Sequence, residues 1–244
     1  MPRPRPASER PVAVAPGWIP SRTVVVAVPA PRPDTDAPAK ADEKPAPVAE
    51  TPPPKPPRDY QTACPAVIAG EVVAKSLPTI DDGGQCGAVS PLSLSAVMVN
   101  GREVPVSGGV VTDCGIATAL PTWLSAVDGY LGAKENTGLK SVIVGTSYMC
   151  RPVNNVTGGN LSFHGLADAL DVVGFELEDG RKVEVLSGWG DAQSSEGRLL
   201  RFAHDAACAS FTTTLGPEAN AEHHDHLHVD LGCHGKTCTA RLCE

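Results

Sequence analysis

The chain has 244 residues and a formal net charge of −8. Residues 1–60 carry nine Lys/Arg and seven Asp/Glu, which leaves 11 basic and 21 acidic residues, a net charge of −10, in residues 61–244. A domain this acidic lacks the clustered cations that neutralise nucleic-acid phosphates, and no apolar run reaches the roughly 18 residues that a bilayer requires. The sequence therefore predicts neither a nucleic-acid-binding protein nor a transmembrane segment.

Residues 1–60 differ from the rest in proline content. They hold 17 of the 24 prolines, with the run Pro52–Pro57 interrupted by a single lysine. Such a segment cannot bury enough apolar surface to form a core, so we predict a disordered tail with polyproline character. Its apolar stretch Val24–Val28 is too short for a convincing signal peptide. Residues 61–244 suffice for one domain with a sizeable core.

Two helices and four strands are predicted in residues 61–244. Asp113–Tyr130 and Glu196–Leu215 have helical character. Strand patterns occur at Leu139–Tyr148, Leu170–Leu177, Arg181–Leu186 and His226–Leu231. Asp179-Gly180 is a hairpin signal between the second and third of these strands. Contiguous antiparallel strands with flanking helices predict an α+β domain.

All eight cysteines lie in residues 61–244. An even number spread over a domain of this size indicates disulfide bonds and an oxidising compartment, although the pairing does not follow from the sequence. An alternative is a structural zinc site formed by Cys233, His234, Cys238 and Cys243. Its spacings match no usual zinc knuckle, so the sequence favours disulfide bonds.

Histidines are concentrated near the C-terminus, where four occupy the six-residue segment His223–His228. The alternation after His226 predicts that His226, His228 and Asp230 share one face of a strand, with the intervening apolar residues in the core. The bland interpretation is a His-rich surface loop that takes up metal only during purification. A further histidine upstream favours a functional site instead.

That further histidine is His164, which stands seven residues before Asp171. In a regular helix the two would lie roughly 10 Å apart along the axis, so the chain between them must turn if they share a metal. Two imidazoles and one carboxylate, with one position left open, are typical of a catalytic zinc ion. The donor atoms of three ligands that bind one zinc ion should lie within about 4 Å of one another.

These motifs resemble a known group of zinc peptidases. Ser162-x-His164-x6-Asp171 followed by His223-x-x-His226-x-His228 is similar to D-alanyl-D-alanine carboxypeptidases and dipeptidases, the penicillin-insensitive murein endopeptidase and hedgehog domains. More closely, roughly residues 60–244 resemble the bacterial extensin-like C-terminal domain family. The matching stretches are Cys64-Pro65, Cys86-Gly87, Cys114 before Trp123-Leu124, Tyr148-x-Cys150-Arg151, Ser162–Phe175, Cys208-x-x-Phe211, Leu215-Gly216-Pro217 and His223–Leu231.

The resemblance includes one departure. The family usually has glycine where this chain has Ala167. If that glycine serves a positive φ or close packing beside the metal, alanine costs stability there. If only a small residue is needed, alanine is tolerated.

The resemblance implies a role for each candidate residue. Zn²⁺ would be bound by His164, Asp171 and His228. His226 is the first choice for the base because it should share a strand face with His228, with His223 and Asp225 as alternatives. Strand parity would aim Asp225 at the opposite face unless the strand starts later than predicted. Arg151 would bind a substrate carboxylate or the tetrahedral oxyanion, unless it is an ordinary surface arginine. Ser162 would orient His164 through a hydrogen bond. His204 and His234 are expected to be ordinary surface residues.

The function that follows from the resemblance is a zinc-dependent hydrolase of peptidoglycan. It would cleave a peptide bond in the stem peptides, as a D,D- or L,D-endopeptidase or carboxypeptidase, in the periplasm or cell envelope. The alternative is a catalytically silent, zinc-stabilised envelope-binding module on the same fold. The spare histidines favour the enzyme, whereas Ala167 favours the silent module.

Overall fold

The computed structural model describes residues 61–244. The predicted Pro-rich tail, residues 1–60, lies outside the described residues. The helices are α1 (Pro65–Ile68), α2 (Cys114–Glu135), α3 (Val185–Gly188) and α4 (Ser195–Ser210). The strands are β1 (Val72–Ser76), β2 (Ile80–Asp81), β3 (Gly87–Ala88), β4 (Leu92–Val99), β5 (Arg102–Thr112), β6 (Leu139–Val144), β7 (Ala169–Leu177), β8 (Lys182–Glu184), β9 (Thr213–Leu215), β10 (Leu227–Asp230) and β11 (Leu242–Cys243).

One large mixed sheet organises this part of the chain. Its strand order is β1-β4-β5-β6-β7-β10-β9-β11, with β8 also paired to β7. Most neighbours are antiparallel, whereas β5–β6 and β9–β11 are parallel. The predicted α+β class with a mainly antiparallel sheet is thus confirmed. Within residues 61–244, no helix combines the length and hydropathy that crossing a membrane requires.

The register between β7 and β10 fixes two of the candidate metal ligands. These strands are antiparallel, and His228 lies directly opposite Asp171. Opposed residues on adjacent antiparallel strands have side chains within contact distance of one another. Leu227 and Val229, which alternate with His228 along the strand, are fully buried. The predicted alternation is therefore present in β10, but His226 precedes this strand, so the prediction that His226 shares a strand face with His228 and Asp230 is wrong.

The hairpin of β4 and β5 was not predicted, although the sequence contains its signal. Asn100 and Gly101 connect the two strands with φ of 47° and 81°. Positive φ at both central residues is the requirement of a type I′ turn, for which Asn-Gly is the favoured pair. The strands that continue the sheet towards β1 could have been found from this dipeptide.

Helix α2 packs against the sheet through a large apolar face. Its N-cap is Asp113, whose side chain accepts a hydrogen bond from the Ile116 amide at 2.9 Å. Trp123 is fully buried, and its indole N–H donates to the Ala203 carbonyl in α4 at 2.7 Å. Edge contacts of Trp123 with Phe175 and Phe211 join the helix to the core. A buried indole N–H needs such a partner, so this bond fixes the docking of the two helices.

Three predicted elements end earlier than expected. The second helix stops at Ser210 because Phe211 has extended backbone, and Thr213 and Thr214 then pair with β10. β-Branched residues suit a strand better than a helix end. The predicted strand 181–186 ends at Glu184, where α3 begins. The strand from Leu139 ends at Val144, and the loop after it approaches the candidate site.

All eight cysteines are disulfide-bonded, and no cysteine of the described residues is free. This confirms the predicted disulfide bonds and overturns the alternative structural zinc site, since Cys233, Cys238 and Cys243 have no thiolate to offer. Each bond closes a loop and restricts the unfolded chain. The pairs are Cys64–Cys114, Cys86–Cys150, Cys208–Cys243 and Cys233–Cys238.

Candidate metal centre and catalytic pocket

A turn followed by a strand places His164 beside Asp171. The 3₁₀ turn Phe163–Leu166 carries His164, and Ala167 then has φ of 59° and ψ of 17° before β7 begins. The Ala167 carbonyl accepts hydrogen bonds from the Asp113 amide at 2.8 Å and from the Thr112 hydroxyl at 3.2 Å. The chain reverses between the two residues, as the spacing argument requires.

Three side-chain donors converge at the end of β7. His164 Nε2 lies 3.1 Å from Asp171 Oδ1 and 3.2 Å from His228 Nδ1. His228 Nδ1 lies 2.9 Å from the same oxygen of Asp171. All three residues are buried, at 0%, 3% and 8% exposure for His164, Asp171 and His228. The structure thus brings together the three residues that were predicted from the sequence as metal ligands.

The outward-facing nitrogen of each imidazole has a fixed acceptor. His164 Nδ1 lies 2.6 Å from the Ser147 carbonyl oxygen, and His228 Nε2 lies 3.0 Å from Asp230 Oδ2. Because a carbonyl and a carboxylate only accept, each outward nitrogen carries the proton. Each ring is thereby held with its other nitrogen facing Asp171, where a bound metal would replace any proton on that nitrogen. This is how carboxylates and carbonyls orient histidine ligands of metals.

Ser147 was missed by the sequence reasoning, and the role expected of Ser162 needs correction. Ser162 Oγ accepts a hydrogen bond from the backbone amide of His164 at 3.4 Å, as the N-cap of the 3₁₀ turn. Its hydroxyl thus shapes the turn, and the Ser147 carbonyl orients the ring. A backbone carbonyl seventeen residues upstream leaves no signal in side-chain motifs.

The charges of the centre are strongly coupled. Burial alone would raise the pKa of Asp171, but hydrogen bonds with His164 and His228 outweigh it and hold this pKa below its usual range. Burial alone would lower the pKa of His228, but hydrogen bonds with Asp171 and Asp230 raise it to about 9. In the absence of a metal, a proton on His228 separates these two carboxylates. A bound cation would take over the position of that positive charge.

His226 lies beside the three donors rather than among them. Its Nε2 is 3.4 Å from Asp171 Oδ1, yet it does not belong to the group whose donor atoms all lie within 4.8 Å of one another. Its Nδ1 lies 2.8 Å from Asp225 Oδ1. Strand β10 starts only at Leu227, so Asp225 is on the preceding turn and faces the pocket. The strand thus starts later than the predicted His226, which is the condition under which Asp225 need not point to the opposite face.

His223 completes a cluster of imidazoles. Its ring centroid lies 5.1 Å from that of His226 and 5.5 Å from that of His228. Its Nδ1 lies 2.7 Å from Asn220 Oδ1. Burial, and then the nearby charges of His228 and His226, lower the pKa of His223 to about 4. His223 is therefore neutral at pH 7, with Nε2 unprotonated.

These residues line a cavity of about 620 Å³. Arg151 lies in its wall, and within residues 61–244 the Arg151 guanidinium forms no ion pair or side-chain hydrogen bond. His234 also lines this cavity, 2.5 Å from the Thr213 hydroxyl, so it is not the unrelated surface residue that we expected. His204 is only 12% exposed and contacts the Glu244 carbonyl oxygen at 3.0 Å.

The fold and the site define a disulfide-bonded α+β domain with a candidate metal centre beside a histidine-lined cavity. The chain matches the family model described as extensin-like protein C-terminus over residues 62–244. This protein therefore belongs to the extensin-like C-terminal family. Among curated proteins and among solved structures, the comparisons found no match.

Proposed function

We propose that this protein is a zinc-dependent peptidase that cleaves a peptide bond in peptidoglycan stem peptides. The observation that carries the proposal is the convergence of His164 Nε2, Asp171 Oδ1 and His228 Nδ1 within 3.2 Å, next to a cavity with further histidines. The motif resemblance to the D-alanyl-D-alanine carboxypeptidase and murein endopeptidase group supports the choice of substrate.

The donor set fits zinc in chemistry and in size. Two imidazole nitrogens and one carboxylate oxygen, each at about 2.0–2.2 Å from zinc, would be separated by about 3.3–3.5 Å in a tetrahedral site. The separations here, 2.9–3.2 Å, need an expansion of only a few tenths of an ångström. Without a cation or a proton between them, three electron-rich atoms this close would repel one another.

When bound, zinc supplies a Lewis acid for the scissile carbonyl and lowers the pKa of water towards about 7. Asp225 holds the His226 ring through Nδ1, so His226 Nε2 is the atom that accepts the proton of the attacking water. The same nitrogen can then deliver this proton to the leaving amine. His223, neutral because of its lowered pKa, presents a second unprotonated nitrogen to the same cavity.

Arg151 supplies positive charge on another part of the cavity wall. Within the described residues its guanidinium is not neutralised by an acidic side chain. A guanidinium binds a carboxylate or an oxyanion through two hydrogen bonds, which gives orientation as well as attraction. Arg151 therefore binds either a substrate carboxylate or the tetrahedral oxyanion.

The disulfide bonds support a site of action outside the reducing cytosol. Four bonds in a domain of this size are typical of proteins from oxidising compartments. Together with the proposed peptidoglycan substrate, these bonds support a location in the periplasm or cell envelope.

Digestion of purified muropeptides by the zinc-loaded full chain tests the proposal. Mass spectrometry should detect products of peptide-bond cleavage, and a chelator should abolish them. The matched variant His226→Ala should retain zinc and lose most of the activity. If the zinc-loaded protein cleaves no muropeptide but binds them, the domain is a zinc-stabilised envelope-binding module, which is the second candidate favoured by Ala167.

A further inference from the structure

A second cavity adjoins the candidate catalytic pocket at Arg151. It has a volume of about 390 Å³ and lies between residues 83–85 on one side and residues 158–159 on the other. Arg151 lines both cavities. The two concave surfaces therefore meet at this residue.

Two of the segments that line this second cavity are covalently joined. The Cys86–Cys150 disulfide connects the segment after residues 83–85 to the segment that carries Arg151, and both cysteines line the cavity. A hydrogen bond of 2.7 Å from the Tyr148 hydroxyl to Asp82 connects the same two segments. The cavity is thus built before a ligand arrives, so a ligand does not pay the entropy of ordering its walls.

The walls offer main-chain groups and open space. A methyl group added at Gly83, Gly84 or Gly158 would meet no atom within 4 Å. Among the residues that the structure describes, the amides of Gly84 and Gln85 have no hydrogen-bond acceptor in the protein. Free amides along an open wall are suited to the carbonyl oxygens of an extended peptide.

We propose that this second cavity binds the second peptide of a crosslinked stem-peptide pair, so that crosslinked peptides, the substrates of an endopeptidase, are cleaved in preference to uncrosslinked ones. The inference rests on the proposed function. A carboxypeptidase substrate ends just beyond the scissile bond, so its terminal carboxylate needs a cation at a closed end of the site. Here the cation, Arg151, stands between two open cavities, and only a substrate that continues on both sides fills them.

The test compares crosslinked and uncrosslinked muropeptides with the zinc-loaded full chain. Wild-type kcat/KM should be at least about tenfold higher for the crosslinked dimer, because only the dimer gains contacts in the second cavity. The variant Gln85→Trp places a large side chain in the second cavity, outside the catalytic pocket. It should raise KM for the dimer at least about tenfold and leave cleavage of the monomer unchanged. Gln193→Trp, the same change at an exposed position away from both cavities, is the matched control.

Amide chemical shifts provide a second readout that does not need turnover. The crosslinked muropeptide should shift the amide resonances of residues 83–85 and 158–159 in the full chain, and the uncrosslinked one should not. Shifts without hydrolysis would support the second cavity and refute the peptidase. Hydrolysis without these shifts, a preference for uncrosslinked substrate, or an equal effect of Gln85→Trp on both substrates would overturn the second cavity while leaving the peptidase intact.

Discussion

Two groups of side chains in residues 61–244 bring three possible metal donors within 4.8 Å of one another, and their chemistry is opposite. In one group the two cysteines form a disulfide and the histidine contacts a backbone carbonyl. In the other, hydrogen bonds to Ser147 and Asp230 hold both imidazole rings with one nitrogen facing a carboxylate. Proximity alone is therefore a poor predictor of metal binding. Whether a group can bind a metal depends on whether its side chains are free to coordinate it or are already bonded elsewhere. The groups are His204, Cys208 and Cys243, and His164, Asp171 and His228.

The largest expected effect is loss of the metal from one group only. His228→Ala removes one of three ligands from a buried centre and should reduce bound zinc from about one equivalent to near zero. His204→Ala, the matched change in the other group, should keep the full equivalent. Metal analysis of the purified proteins after dialysis distinguishes the two groups. Full zinc content in His228→Ala would show that the ligands are misassigned.

A second prediction separates ligand from catalyst within the histidine cluster. His226→Ala should retain zinc and lower the hydrolysis of muropeptides at least about a hundredfold, since a general base contributes typically 10²–10⁴-fold. The rate is measured by product formation, and zinc content is measured on the same samples. A decrease of less than about tenfold would transfer the role of base to His223 or Asp225.

The hydrogen bond that orients His228 should also matter for zinc affinity. Asp230→Asn keeps the size of the side chain but removes the carboxylate that accepts from His228 Nε2 at 3.0 Å. Zinc affinity should fall about 10–100-fold, as for other partners of metal-bound histidines. Competition with a chelator of known affinity measures this change. An unchanged affinity would mean that the Asp230 contact does not prepare the ring for a metal.

The stability of the domain should depend on pH through the titration of Asp168, which lies three residues before Asp171 in the sequence. Burial, followed by the charges of Asp113 and Asp230, raises the pKa of Asp168 from 3.8 to about 7. The folded state therefore keeps a proton that the unfolded state loses, and stability falls as pH rises through this window. Asp168→Asn removes the free-energy cost of burying an ionised carboxylate at high pH. It should raise stability by about 1–2 kcal/mol at pH 8, since solvent screening of a partly exposed group reduces the full effect.

Thermal unfolding at two pH values checks the Asp168 prediction. The melting temperature of Asp168→Asn should exceed that of the wild type by a few degrees at pH 8 and match it at pH 4, with the same zinc content in both proteins. An equal gain at both pH values would indicate a packing effect instead of a charge effect.

The smallest expected effect concerns Ala167, which stands where a glycine is usual. Its φ of 59° strains an alanine, but its buried methyl group contributes packing. The strain of about 1–2 kcal/mol and the loss of about 0.8 kcal/mol from the methyl group leave a net gain of at most about 1 kcal/mol for Ala167→Gly. Denaturant unfolding measures it. Destabilisation by Ala167→Gly would show that packing outweighs backbone strain there.

The parts of the site that the sequence could predict are those governed by short-range periodicity. Alternation along His226–Leu231 predicts the burial of Leu227 and Val229 and the shared face of His228 and Asp230. If His164 and Asp171 share a metal, no regular helix can connect them, which predicts a turn between them; that the turn ends in a left-handed residue at Ala167 was not predicted.

Other parts depend on contacts between distant segments and leave no local pattern. The Ser147 carbonyl reaches His164 only because the chain leaves β6 at Val144, and the disulfide pairing follows from the packed fold. The direction of Asp225 depends on where β10 begins, which is set by pairing with β7 and β9. Strand ends are the positions where tertiary pairing most often overrides local preference.

Anomalous diffraction at the zinc edge, from crystals of the zinc-loaded protein, tests most directly whether His164, Asp171 and His228 bind zinc. We expect one strong peak at about 2.0–2.2 Å from His164 Nε2, Asp171 Oδ1 and His228 Nδ1, and none beside His204. The absence of a peak at this centre, or a peak held by His223 and His226 without His228, would contradict it.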